Sequence, residues 1–599
     1  MFLGTRTQLS DRPIESIIAA DLGSTLIHVC LIDVVEGTYR FVAHAEAPST
    51  LSEAENDVTI GLRRAIQRLE QVALRQLLDQ DGELITPEQE SGAGVDAFVA
   101  TSNAAPPLGC VIIGLTDELS TESAQYACSA ANVTVRETIS LGARIRRWDE
   151  HAFTALYENP PDLILLVGGV DTGPVALLEN AGRVLNLIYG DVEAERRPVV
   201  IFAGNQEARK PVLAILQSSF DLRVVDNVRP NVHVESLGEL QRELAQVYER
   251  VKLARLPGYR RLRHMCGAPI LSTASALANT LRFVARSDEL AQGVLGVDVG
   301  GASTYIGAAR GALYQWAIGA GLGTGLGLDR VLELSGVASI LRWLPVPLSE
   351  EEVTSRLENA RLRPYSIPQT MEELLLTHAV IRQSLLFTMR SMRRQYWYRP
   401  GARPEEETTP PFDLLAVRGG PLANTPQDGL TALTLLDSLQ PVGLARLVVD
   451  WASIWPQLGA VALMAPAAAA QVLAQDGFRE LGTLVAPLGE ARDGERALHL
   501  TIIPDGGSPS DVDVPAGTVR RFPLAPGQEA TLEVRPSRAF DIGLGRKGLG
   551  GKARVRGGGL GIVADTRGRP LSLPQDAERR RAKIQEWLKN LVGNNSQPA

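Results

Sequence analysis

An α/β protein built from several units is what the sequence predicts, on three observations. Apolar strands alternate with amphipathic helices through residues 162–240, a pattern that means a parallel sheet. Two strand–turn–strand segments of one design, each with an Asp at the end of its first strand, lie 277 positions apart at Asp21 and Asp298. From residue 495 the chain turns strand-rich with Gly turns, which suggests a small β domain. A length of 599 residues implies about three to five domains at roughly 100–200 residues each.

Composition excludes several classes. With 45% hydrophobic and 22% charged residues the chain is neither disordered, collagen-like nor coiled-coil. A net charge of −9 argues against a dedicated nucleic-acid binder. Cys30, Cys110, Cys128 and Cys266 form no CxxC pair, so a reduced cytoplasm is expected rather than a disulfide or metal framework. The N-terminal run lacks an apolar core of signal-peptide length. Residues 451–475 carry no charge, but Pro456, Gln457, Pro466, Gln471 and Gln475 interrupt them. A buried helix turning at Pro466, not a membrane span, is the reading. The 56 glycines, set against 5% aromatics, indicate loops where backbone approaches something closely.

Taken in order, residues 14–47 read as two or three strands with a turn at Glu36-Gly37. Residues 53–80 place Leu62, Ile66, Leu69, Ala73 and Leu77 at helical spacing. Strand-like and helical runs continue to a helix at 121–131. In 162–240, two strands end in Gly168-Gly169 and Gly204-Asn205, where an α/β sheet would place a pocket or simply a tight turn. The hairpin pattern returns at 293–316, helical segments run to about 398, and GARPEEETTPP (401–411) is a linker. A strand with a Gly-Gly turn follows at 412–424, then helices to about 480, the β segment and a charged helix at 576–592.

The chemistry concentrates in two hairpins. Asp21-Leu22-Gly23-Ser24-Thr25 and Asp298-Val299-Gly300-Gly301-Ala302-Ser303-Thr304 each follow a buried strand and lead into another. Small residues bring backbone N–H groups and hydroxyls onto phosphate oxygens, and an Asp can hold Mg²⁺ through its waters. One such hairpin is weak evidence; two in corresponding places are much stronger.

The pair resembles the phosphate-1 and phosphate-2 loops of the actin/sugar kinase/Hsp70 ATPase superfamily. That resemblance implies a two-lobed actin-like ATPase (ribonuclease H-like) core whose third element, a strand running into a Gly-Gly turn, covers adenosine. Leu414 to Leu422, with Gly419 and Gly420, has that form and order. More narrowly, the chain resembles the glutamate mutase L family, unrelated to the mismatch-repair protein of similar name. The landmarks are DLGST (21–25), LVGGVDTG (166–173), FAGNQEA (202–208), VDVGGAST (297–304), RGGPLAN (418–424) and the terminal GGGLGIVADTRGRPL (557–571).

The family resemblance implies an ATPase-like companion of an adenosylcobalamin-dependent mutase, acting as a reactivase that exchanges damaged cobalamin. ATP or ADP would be the ligand, with Mg²⁺ held at Asp21 and Asp298, which are also the catalytic candidates. Gly23, Ser24, Thr25, Gly300, Gly301, Ser303 and Thr304 would wrap the phosphates, and Gly419 and Gly420 the adenosine. A mutase subunit is the implied protein partner. Tyr305 departs from the Thr-Asp or similar polar pair of many family members, which bears on hydrolysis more than on binding.

The implied organisation is a first lobe over 14–160, an inserted α/β unit with connecting helices over 161–290 and a second lobe over 291–490. A small β domain over 491–575 and a charged helix with a polar tail over 576–599 complete it.

Other segments give less. GAGLGTGLG (319–327) contains no G-x-G-x-x-G, and suits either a loop over the nucleotide or a helix-entry loop. MRSMRRQYWYRP (389–400) suits a helix end packed on a neighbouring domain rather than a nucleic-acid stack, and basic RKGLGGKARVRGGG (546–559) a solvated hairpin loop or an acidic partner's contact. The seven His form no HExxH, there is no GxSxG, and no D-x-H-x-x-G ligates cobalamin. The alternatives are a hydantoinase-like hydrolase or small-molecule kinase on the same fold, or a nucleotide-binding interaction scaffold.

Overall fold

A computed structural model describes residues 13–51, 56–142, 156–286, 290–397 and 408–592. The N-terminal run 1–12, linker residues 401–407 and the polar tail from 593 lie outside these residues.

Two sheets repeat one strand order. In the first, Ile17–Leu22, Leu26–Val35 and Thr38–Pro48 form an antiparallel meander; Ala97–Ser102 lies parallel to the first strand and Leu271–Ser272 parallel to that. In the second, Val294–Val299, Ser303–Arg310 and Leu313–Ala320 repeat the meander, and Leu414–Arg418 and Gly443–Val449 repeat the parallel pair. This duplicated ribonuclease H-like order makes the chain a two-lobed actin-like ATPase fold. The first strand of each sheet is buried along its whole length, which is why both read as continuous apolar runs broken by one Asp.

The helix expected over 53–80 spans Val58–Ala73. Asp57 caps it, its carboxylate accepting from Thr59 N at 2.8 Å. Leu62, Ile66 and Leu69 are buried beneath the first sheet, each worth about 1.5–3 kcal/mol. Leu74, at φ +53°, ends the helix, so Leu77 packs on the core from the loop beyond.

The α/β unit enters between the fourth and fifth strands of the first sheet. Its five parallel strands run in the order Val133–Ser140, Leu108–Gly114, Leu163–Leu166, Val199–Phe202, Leu222–Val224, the 2-1-3-4-5 doubly wound arrangement. The sheet therefore begins at Leu108, inside the segment read as first lobe. Local pattern found strands there, but which sheet they join is set by pairing with partners about fifty residues downstream.

The C-terminal segment divides. Ser510–Pro515, Arg496–Pro504, Glu529–Pro536 and Gly551–Arg556 form a separate four-stranded sheet. Val519–Phe522 and Gly561–Asp565 instead extend the second-lobe sheet beyond Arg479–Ala486. Helix Ala577–Val592 buries Ile584, Trp587 and Leu591 in the second-lobe core.

The uncharged stretch 451–475 holds two short helices, Trp455–Val461 and Pro466–Asp476, packed in the core between the lobes. Among the described residues no helix is long and apolar enough to cross a membrane.

Candidate functional site: an interlobe cleft

The two hairpins meet. Asp21 and Asp298, buried at the ends of their strands, line one cavity of about 1130 Å³ together with Gly23, Ser24, Thr25, Gly300, Gly301 and Ser303. Gly419 and Gly420 lie on the same wall. Among the described residues the hydroxyls of Ser24, Thr25 and Ser303 donate no hydrogen bond, so they are free to turn toward a ligand. Thr304 is the exception among the expected residues. It is fully buried and its hydroxyl donates to the Leu322 carbonyl at 2.7 Å, away from the cavity.

Backbone geometry fixes the turns. Gly301 faces Thr25 across the lobes so closely that a Cβ would lie 2.5 Å from Thr25 Cγ2. Gly419 adopts φ +102°, and a Cβ there would meet the Val299 carbonyl oxygen at 2.2 Å, so only glycine serves. The 319–327 loop braces the second turn: Gly325 N and Gly327 N both donate to Gly301 O, at 2.9 Å each. Of its residues Thr324 reaches the cavity wall before helix Leu328–Leu341 begins.

Asp21 is held on all sides. Thr101 and Thr273 hydroxyls donate to its Oδ1 at 2.8 and 2.7 Å, and Arg418 Nη2 donates to its Oδ2 at 2.5 Å. Arg418 Nη1 donates to Asp298 Oδ2. Arg418 Nε lies 3.6 Å from Asp450 Oδ2 and has no hydrogen-bond partner. Burial works to lower the arginine's pKa, but Asp298, Asp21 and Asp450 outweigh it and raise it.

The expected Mg²⁺ does not fit this donor set. Octahedral Mg²⁺ takes oxygen ligands at about 2.0–2.1 Å, and Asp21 Oδ2 and Asp298 Oδ2 already face a guanidinium whose positive charge repels a second cation. Among the described residues no group of three or more His, Cys, Asp and Glu could hold a metal.

Arg418 and His28 are the site residues that motif reasoning missed. Asp298 and Arg418 are register partners on neighbouring parallel strands, and Asp21 faces His28 across its hairpin. The available signal was a charged residue closing an apolar strand, Leu414-Leu415-Ala416-Val417-Arg418, just before the Gly-Gly turn. Burial, then Arg418, pushes the His28 imidazole below its usual pKa, leaving a neutral proton acceptor on the cavity wall near neutral pH.

The inserted unit closes one side of the cleft with Asn132, Gln241 and Glu249. It also docks on the second lobe: Ile318 N donates to Ser129 O at 2.6 Å, and Arg394 pairs with Glu122 at 3.0 Å. The Arg/aromatic strip is thus a domain contact over its described part, up to Trp397; residues 398–400 lie outside the described residues. The basic segment near 550 is partly paired within its own domain, Arg554 meeting Asp505 and Glu529, and Arg556 meeting Glu529.

A family model described as MutL protein matches residues 17–476, about three-quarters of the chain. The chain belongs to the MutL protein family. Protein MutL of Clostridium tetanomorphum is 24% identical over 300 residues, which are 49% of this chain and 57% of that protein. This MutL-family chain thus spans little more than half the length of that curated relative.

Solved structures similar to it include acetone carboxylase in nucleotide-free form, at 10% identity and TM-score 0.33, covering 84% of this chain and 81% of that one. The nucleotide-free diol dehydratase-reactivating factor matches at 10% identity and TM-score 0.30, covering 75% and 99%. The 2-hydroxyisocaproyl-CoA dehydratase activator of Clostridium difficile, with bound ADPNP, matches at 11% and 0.27, covering 76% and 95%. At these scores it is the duplicated strand order, not superposition, that defines the fold of this family member.

Proposed function

We propose that this MutL-family protein binds ATP or ADP in the interlobe cleft and serves in the cytoplasm as an accessory, reactivase-like companion of an adenosylcobalamin-dependent mutase. The observation that carries the nucleotide half is convergence. Three segments from distant parts of the chain, at 21–25, 298–303 and 418–420, bring small residues, free hydroxyls and an arginine to one cavity. Free hydroxyls and glycine turns suit phosphate oxygens.

Hydrolysis of a bound nucleotide needs little covalent chemistry from protein, chiefly a positioned water and charge stabilisation. His28 is a cavity-wall group able to accept a proton. A difference in lobe closure between ATP and ADP would be the means of acting on a partner. The partner half rests on family membership and on the absence of a cobalamin-ligating D-x-H-x-x-G in the chain itself.

A second reading, nucleotide as a structural ligand of an interaction scaffold, follows if Tyr305 replaces the polar pair that the family resemblance implies for hydrolysis. Titration calorimetry with ATP and with ADP tests the first half, and absence of heat with both would sink it. A pull-down from native extract tests the second: a mutase subunit supports it, and consistent recovery of an unrelated protein overturns it. Binding without partner-stimulated hydrolysis would select the scaffold.

A further inference from the structure

Arg418 closes strand Leu414–Arg418 and is 7% exposed, on the wall of the cleft. A guanidinium carries five N–H donors in a rigid planar fork. One Nη donates to Asp21 Oδ2 of the first lobe, at 2.5 Å, and the other to Asp298 Oδ2 of the second. Each Nη keeps a second N–H, while Nε is buried facing Asp450 Oδ2 at 3.6 Å without a hydrogen bond.

Asp21, by contrast, is nearly spent, and Asp298 gives one oxygen to the same guanidinium. Asp21 accepts from Thr101 and Thr273 through one oxygen and from Arg418 through the other, so its four lone pairs are nearly filled. Gly419 fixes the fork in place: its φ of +102° and its contact with Val299 clamp the end of the arginine's strand against the strand carrying Asp298.

We propose that Arg418, and not a divalent metal, is the cation shared by Asp21 and Asp298, and that its unspent donors are the polyphosphate contact of the cleft. A nucleotide then binds without a metal bridge to these carboxylates. The metal half stands by itself; the phosphate half rests on the nucleotide reading above.

The full chain, stripped of metal by chelator, decides between them. Mn²⁺ alone, titrated and followed by electron paramagnetic resonance, is expected to find no saturable site in the wild type. ATP is expected to bind with affinities within about fivefold of each other in chelator and in excess Mg²⁺. Arg418→Met is expected to weaken metal-free ATP binding about tenfold or more, from the loss of charge-assisted bonds. Arg418→Lys, which keeps the charge in a folded site, should bind metal-free ATP more tightly than the Met variant.

A single wild-type Mn²⁺ site abolished by Asp298→Asn would overturn the assignment. So would ATP affinity raised more than about fivefold by Mg²⁺, or Arg418→Met binding metal-free ATP as well as wild type. Failure of ATP to bind in either buffer would instead break the nucleotide reading, and the Mn²⁺ titration would still decide the metal half.

Discussion

Among the described residues, two buried arginine–aspartate clusters, one between the lobes and one inside the second lobe, differ in what remains unspent. Around Arg418 three carboxylates, Asp21, Asp298 and Asp450, face one guanidinium whose Nε makes no hydrogen bond and which borders a cavity. In the other cluster Arg567 donates to both oxygens of Asp565, at 2.9 Å each, and to Asp437 at 2.7 Å. Arg382 takes the second oxygen of Asp437 at 2.7 Å, Arg569 meets Asp565 at 2.6 Å, and Trp587 covers the Arg567 guanidinium at 4.6 Å. This cluster ties the terminal ADTRGRP segment to the second lobe and opens onto nothing. Burial of charge alone therefore does not mark a site; unspent donors beside a cavity do.

The contrast is broken most directly by removing each arginine. Arg567→Met leaves Asp437 and Asp565 buried with too little positive charge, and is expected to cost about 3–5 kcal/mol of stability. Its denaturation midpoint should fall while ATP affinity of the folded protein is unchanged. Arg418→Met also strips buried carboxylates of their countercharge, but the cleft lets water reach Asp298, so the expected cost is smaller, about 2–3 kcal/mol. Equal losses in the two variants, read by urea denaturation side by side, would erase the distinction.

That difference also explains what the sequence made legible. Each Asp hairpin is local, an apolar strand broken by Asp and a small-residue turn, so Asp21 and Asp298 could be found by pattern and both lie on the cavity. Arg418 was visible as the first letter of RGGPLAN, but its meaning depends on Asp21, 397 positions away, reaching the same point. Thr304 was misplaced for a similar reason. Strand alternation turns it to the opposite face from Ser303, where it meets Leu322. The terminal strands were legible as strands, but not that two of the six would leave the small sheet to extend the second lobe. Sheet membership is a long-range property that hydropathy does not carry.

A smaller effect sharpens the view of the cleft as the meeting point of two turns. Gly301→Ala places a methyl 2.5 Å from Thr25 Cγ2 and 2.8 Å from its Oγ1, side-chain atoms that can yield by parting the lobes. Stability should change by less than about 1 kcal/mol, as for mild overpacking, while ATP affinity falls about tenfold through misplacement of the phosphate turns. Thr25→Ala in the same chain removes the clashing atoms, and calorimetry on the double variant should recover part of the loss as a coupling energy. Purely additive losses would mean that the turns act independently.

The smallest expected effect compares the carboxyls of the two clusters by pH. In the sealed cluster burial acts to raise the Asp565 pKa, but Arg567 and Arg569 outweigh it and hold the group well below the usual range. Its stabilisation is thus full above about pH 4 and is lost only in acid, as pH falls through the depressed value. Asp450 behaves oppositely. Burial raises it to about 6, against the pull of Arg418 and of the Trp455 and Ile454 N–H groups. Between its unfolded value of about 3.9 and 6 the native state holds a proton that the unfolded chain has released, so this group's contribution falls as pH rises. Across about pH 5 to 7 the decline is about 1 kcal/mol, measurable as a drop in urea midpoint. Asp450→Asn should flatten that slope and leave the acid limb set by Asp565 in place; an unchanged slope would mean that Arg418 keeps Asp450 ionised throughout.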